Sequence, residues 1–278
     1  MNRSLRNLSL IALIVLMAFS AAGCANVIDK LKARDALNKG VGAYKNAQFD
    51  EAIERFKEAK RLDPTLLNAR LYLATAYASQ YIPGAPSEEN VRRGESAIAE
   101  FKEVLDVDPN NLSAIDGIGS IVFQMGGQPY EPKKFEESRS YHQKHIDLKP
   151  DDPEPYYWIG VINWTLAYRA NQTMRYDYNQ NARKPVKPDE PLPPKVRADF
   201  LAAHGENIRQ GIELLDKAVQ LRPDYEDAIA YLNLLYRQKA DIAETPEERE
   251  QHLQKADELV ERHKEIKQKK MEAPPPKQ

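Results

Sequence analysis

The stretch Ala33–Leu66, ARDALNKGVGAYKNAQFDEAIERFKEAKRLDPTL, decides the fold. Its second half sets Phe49, Ala52, Ile53, Phe56, Ala59 and Leu62 at the spacing that gathers them on one apolar face of a helix. Pro64 follows at once. Inside a helix a proline lacks a donor and collides with the preceding turn, so the predicted helix stops and the chain reverses.

The same frame recurs at Pro109, Pro150 and Pro223. Eight residues before the four prolines stand Phe56, Phe101, His142 and Leu215, and twelve before stand the small residues Ala52, Ala97, Ser138 and Gly211. Five after come Ala69, Ala114, Pro155 and Ala228; ten after come Ala74, Gly119, Gly160 and the exception Asn233. Small side chains at fixed offsets let two antiparallel helices approach closely. One such pair leaves an apolar face open, so neighbouring pairs must stack to cover it.

This pattern resembles the tetratricopeptide repeat (TPR). Gly40, Phe49, Ala52, Phe56, Ala59 and Pro64 match its signature positions, with Ala43 where tyrosine is usual. The resemblance covers about residues 31–264. It implies an all-α fold of about five antiparallel helix pairs stacked into a right-handed superhelix. The proline spacings of 45, 41 and 73 residues exceed the family's 34, so the surplus belongs in turns or lengthened helices. Tyr81–Ser87 and Gly126–Pro132 are the first two expected loops. The third surplus, near 171–197, holds Pro185, Pro188, Pro191, Pro193 and Pro194; its centre cannot be helical, and its flanks extend the fourth pair. Ser87 and Thr245 read as helix caps. Residues 265–278, polar and carrying Pro274-Pro275-Pro276 near the end, read as a disordered tail.

The chain has 278 residues, 40 Lys+Arg against 42 Asp+Glu, and one cysteine. A net charge of −2 provides no basic excess for nucleic acid. One cysteine excludes an internal disulfide and a cysteine-based zinc site. That cysteine, Cys24, ends a leader made of Arg3 and Arg6, an apolar run from Leu8 to Phe19, and Ser20-Ala21-Ala22-Gly23. The run is too short for a permanent span and has the layout of a secretory signal. Ala21-Ala22-Gly23-Cys24 resembles a bacterial lipobox, with Ala21 in place of the usual leucine. The resemblance implies cleavage between Gly23 and Cys24, acylation of Cys24, and residues 24–30 as a lipidated linker. Ala25 after the cysteine, rather than Asp, resembles the outer-membrane class, facing the periplasm of a Gram-negative bacterium.

The remaining constellations are weighed on their spacing. His142 and His145 lie three apart but occupy apolar frame offsets, so packed imidazoles are expected rather than a metal site. There is no phosphate loop, nucleophile elbow or zinc-protease helix, so neither an enzyme, a metal nor a cofactor is implied. Tyr157, Val161, Trp164 and Tyr168 fall on the face that in the repeat family lines a concave groove, and three of them are large amphipathic aromatics of the kind that dominate interfaces. They either line a groove or fill the core and the seam of the fourth hairpin. The Lys and Asn clamp that some family members use for a C-terminal carboxylate is absent: Leu37, Val41, Thr75 and Asp116 hold those offsets.

The resemblance implies an anchored scaffold that presents a concave face to a protein or peptide partner, held to the membrane by the acyl chains on Cys24. Lipidated repeat proteins of this size resemble assembly factors for outer-membrane barrels and for pilus secretins, and no motif here selects between them. The alternative is a cell-wall or glycan-binding accessory protein that stacks sugar rings on the aromatic stretch.

Overall fold

The computed structural model describes residues 27–188 and 190–272. The leader, Gly23 and Cys24 lie outside the described residues, as does the end of the tail from 273. Among the described residues the regular structure is helical throughout, and the chain divides into two compact units at Gln128/Pro129.

The first unit holds α1 (27–45), α2 (Phe49–Leu62), α3 (Leu67–Gln80), α4 (Glu88–Val107) and α5 (Leu112–Met125). α2 buries Ala52, Ile53, Phe56 and Ala59, carries acids in its first turn and bases in its last, and so suits its own dipole. Gly40 on α1 is required by contact: a Cβ there would sit 2.5 Å from a ring carbon of Phe56. The turn between α1 and α2 closes with Gln48 N–H on the Ala43 carbonyl (2.9 Å) and Ala47 N–H on Tyr44 (3.0 Å). This is a Schellman arrangement, and it places Ala47 in the left-handed region at φ 59°. Ser87 caps α4 by accepting from Asn90 N–H at 3.2 Å. α1 is already helical at residue 27, so 27–30 is helix rather than the expected linker. Val27-Ile28-Asp29-Lys30 contains neither glycine nor proline to oppose it.

The second unit holds α6 (Pro132–Leu148), α7 (Pro153–Asn181), α8 (Pro194–Leu221), α9 (Glu226–Asp241) and α10 (Pro246–Glu272). α2, α4, α6 and α8 each end two residues before their proline. The residues at eight and twelve before are buried in all four; the final apolar residue is not, since Val107 and Leu148 are exposed in the last turn. α7 and α8, at 29 and 28 residues, form a long hairpin, and the described residues of its connection contain no helix. The core between α7, α8 and α9 is built on Phe200, Ile208, Leu215, Ile229, Leu232 and Leu235, with Leu192 of the connection buried beside them. Gly160 meets Leu215 so closely that an added Cβ would lie 2.5 Å from its Cγ.

α10 corrects the expected tail. Thr245 Oγ1 accepts from Glu248 N–H (3.1 Å) while the Glu248 carboxylate accepts from Glu244 N–H (2.9 Å), a box that starts the helix. The helix then continues through Glu272. Ile266 packs against the core of this unit, and Lys270 pairs with Glu226 at 2.8 Å and Asp224 at 3.3 Å, so residues 265–272 have tertiary partners.

His142 and His145 are buried, His142 stacked on Trp158 with 5.7 Å between ring centroids. Among the described residues no cluster of three His, Cys, Asp or Glu is placed to hold a metal, and no helix is long and apolar enough to cross a membrane.

Candidate functional site

The aromatic stretch of α7 is divided by depth. Glu154, in the first turn, accepts from Arg222 (2.8 Å) and from the Tyr225 hydroxyl (2.6 Å), which fixes the start of α7 against the turn after α8. Tyr157 packs on Tyr225 and Tyr231, with centroids 5.0 and 5.9 Å away. Burial, and then the neighbouring Tyr231, Asp227 and Glu154, push its phenol well above the ordinary range, so it stays neutral.

Val161 is 2% exposed. The ring of Tyr231 packs against both Tyr157 and Trp164, the aromatics on either side of Val161 in the sequence. Val161 therefore belongs to the core and cannot touch a partner, which corrects its expected place on the groove.

Trp164 and Tyr168 stand at the surface. Their rings stack with centroids 5.0 Å apart and 13° between planes, and Tyr168 is 43% exposed. With Gln172 they form a ridge one helical turn apart, and a cavity opens on either side of it. The first, of about 650 Å³, is lined by this ridge, Asn171, Pro188 of the α7–α8 connection, Leu234, Gln238 and Asp241 of α9, and Arg249 and Leu253 of α10. The second, of about 780 Å³, is lined by the ridge together with Tyr130, Arg169, Thr173, Met174 and His204. Within this lining Arg169 lies over the Tyr130 ring at 4.8 Å.

The floor of the first cavity is polar and held from several elements. Arg175, nearly buried, donates to Asp241 Oδ2 at 3.4 Å and to the carbonyls of Lys187 and Glu190 at 2.8 and 2.9 Å. Leu192 N–H donates to the Asp241 carbonyl at 3.1 Å. The connection is thereby tied to the end of α9. Burial pushes the Asp241 carboxyl above its ordinary range, opposed by Arg175, Arg249 and Asn171. Gln238 and Asn171 are 5% and 2% exposed. Neither polar atom of the Gln238 amide, nor Asn171 Oδ1, bonds to another protein atom. A buried amide group without a partner costs roughly 1–3 kcal/mol.

Of the four residues expected on a groove, the structure gathers Trp164 and Tyr168 at the cavities, half-buries Tyr157 in the seam, and buries Val161. Asn171 and Arg175 continue the same row at seven and eleven residues past Trp164, a helical interval visible in the sequence. Gln238 and Asp241 carry no local signal, because they join the site only through packing of α9 on α7.

No protein-family model matches this chain, and no curated protein matches it. Solved structures do. The structure of MamA from Desulfovibrio magneticus RS-1 aligns with TM-score 0.53 at 19% identity, covering 83% of this chain and 96% of that one. A second MamA crystal structure aligns with TM-score 0.53 at 16% identity, covering 84% and 94%. YrrB, described as a TPR protein with an unusual peptide-binding site, aligns with TM-score 0.49 at 14% identity, covering 85% and 90%. The MamA likenesses show the fold and only the fold: an all-α helical-repeat chain of the TPR kind.

Proposed function

We propose that this protein is a lipid-anchored, extracytoplasmic repeat scaffold that holds a protein or peptide partner on the exposed aromatic ridge of α7. The observation that carries the binding role is the Trp164–Tyr168 stack, a partly exposed pair of large rings with a cavity on each flank. Concave sites with aromatic walls and a few placed polar groups are where ligands bind. The anchoring role rests on the lipobox-like Ala21-Ala22-Gly23-Cys24, and Ala25 supports an outer-membrane destination. Two or more acyl chains suffice for stable attachment.

The test is affinity capture from solubilised membranes with the wild-type chain and with Trp164→Ala plus Tyr168→Ala. One envelope assembly should be enriched by the first and lost with the second. Clickable palmitate should label the wild type and leave Cys24→Ser unlabelled; equal labelling would end the anchoring proposal. A second reading, glycan stacking, is favoured by the same flat pair of rings. Retention on purified peptidoglycan, with no protein captured, would replace the scaffold by it.

A further inference from the structure

We infer that the first turns of α1 are a membrane-seating surface: Val27, Ile28 and Leu31 enter the headgroup layer of the bilayer that holds the acyl chains on Cys24, and Lys30, Lys32 and Arg34 meet its lipid phosphates. This deepens the proposed anchoring and rests on it.

α1 turns one face into the first unit. Ala33, Ala36, Gly40 and Ala43 recur at three or four residues and are buried, Ala36 among Ala59 and Ala69 and Gly40 against Phe56. Val27 and Leu31, one turn apart, fall about half a turn from that row, on the side turned away from the repeat core. They are 59% and 61% exposed, and Ile28 beside them is 51% exposed. Farther along the same outer side stand Arg34, Asn38 and Lys45. The apolar surface is thus confined to the tip of α1 nearest Cys24.

The occupant follows from distance and charge. Three Cα steps separate Cys24 from Val27, so whatever path Ala25 and Asn26 take, the acylated residue lies within about 11 Å of the start of α1. An apolar helical face sinks about 5–10 Å into the boundary between headgroups and acyl chains, a depth this tether permits. The acyl chains keep the bilayer beside the exposed side chains, whereas a separate protein must find them by diffusion. Lys30, Lys32 and Arg34 are exposed, and Asp29 is the one acid in 27–34. Asp35, the next, is engaged by Lys39 at 2.6 Å. Three cations around an apolar tip suit an anionic lipid surface, with their aliphatic stems along the apolar layer and their charges at the phosphates. Acyl chains and helix tip then act as two signals, and together they fix how the first unit stands on the membrane.

The test uses the full chain, expressed with its leader, purified in detergent and reconstituted into vesicles of phosphatidylethanolamine and phosphatidylglycerol. Intact mass first reads the acyl chains. Acylation occupies the chain's one cysteine, so an introduced thiol alone takes a fluorescent label. A nitrobenzoxadiazole label on Leu31→Cys should shift to the blue and lose most of its emission to brominated lipid. On Lys45→Cys, about 21 Å farther along α1, it should do neither. With the label on Lys30→Cys, the changes Val27→Ser, Ile28→Ser and Leu31→Ser together should abolish the quenching at unchanged acylation. Melting should not move, because the three side chains are exposed. Quenching that survives these changes overturns the inference, since the short tether alone would then hold the turn at the lipid. A blue-shifted label that brominated lipid does not quench also overturns it, by placing a second copy or another protein segment over the turn. An acylated chain with no response at Leu31→Cys overturns the inference and leaves the anchor standing; a chain without acyl chains overturns both.

Discussion

Arg175 and Asp241, separated by 66 residues, meet at 3.4 Å and join the extended part of α7 to the end of α9. The guanidinium also serves two carbonyls of the α7–α8 connection, so one side chain holds three segments. Arg175→Met would strand the partly buried Asp241 carboxylate and those carbonyls. Losing the hydrogen bonds of this charged group costs about 1.5–3 kcal/mol, and protection of the connection against amide exchange should fail before that of the α8 core. Unchanged exchange in 182–193 would show that Leu192 and its neighbours hold the connection unaided.

Gly160→Ala should destabilise the second unit by roughly 1–3 kcal/mol through overpacking against Leu215, whose branch point lies 2.5 Å from the new Cβ. The partner change Leu215→Ala is costly alone, and the double variant should lose less than the sum. Strict additivity in denaturant titrations would place the strain elsewhere.

Ala47 holds a left-handed conformation at the end of α1, where glycine has no Cβ penalty. Ala47→Gly should therefore raise the stability of the first unit by up to about 1 kcal/mol, read as a higher denaturation midpoint. A lower midpoint would mean that the entropy added to the unfolded chain outweighs the relief.

Asp216 sets a pH dependence. Burial raises its folded-state pKa, against the pull of Lys255 and Arg262. The folded chain thus binds this proton more tightly than the unfolded chain. Stability linked to Asp216 is complete below the unfolded value of 3.8 and is lost as pH rises through the raised folded value. Asp216→Asn should be more stable than wild type at neutral pH, with the gap closing below that value. A gap independent of pH would exclude the titration.

Val161→Ala and Tyr168→Ala should separate core from surface. The first removes buried volume and should cost roughly 2 kcal/mol with partner binding retained in the folded protein. The second should leave the melting point within about a degree or two while binding falls, because so exposed a ring contributes little to folding. The reverse assignment in paired melting and binding assays would move the ridge into the core.

The repeat frame was readable because its determinants are local. Pro64, Pro109, Pro150 and Pro223 stop helices by sterics alone, and the small residues twelve positions before each are buried. The lengths of α7 and α8 follow from the cluster of prolines between them. The depth of Val161 was not readable, because Tyr231, which covers its neighbours, lies 70 residues on. The helix at 265–272 is hidden for a similar reason: Lys270 looks like part of a solvated run until Asp224 and Glu226 are brought to it. Half of the site was legible, the half that lies along one helix.

α7 is about 43 Å long at 29 residues, while α9 at 16 residues reaches about 24 Å. The last repeat-frame position on α7 is Gly160, and Tyr168, Asn171 and Gln172 lie beyond it. Asn171 is still tied to α9 through Asp241, whereas Tyr168 and Gln172 are exposed. A change at those two surface positions leaves the spacing rules that keep the helices stacked untouched, so the recognition surface can vary while the architecture is kept.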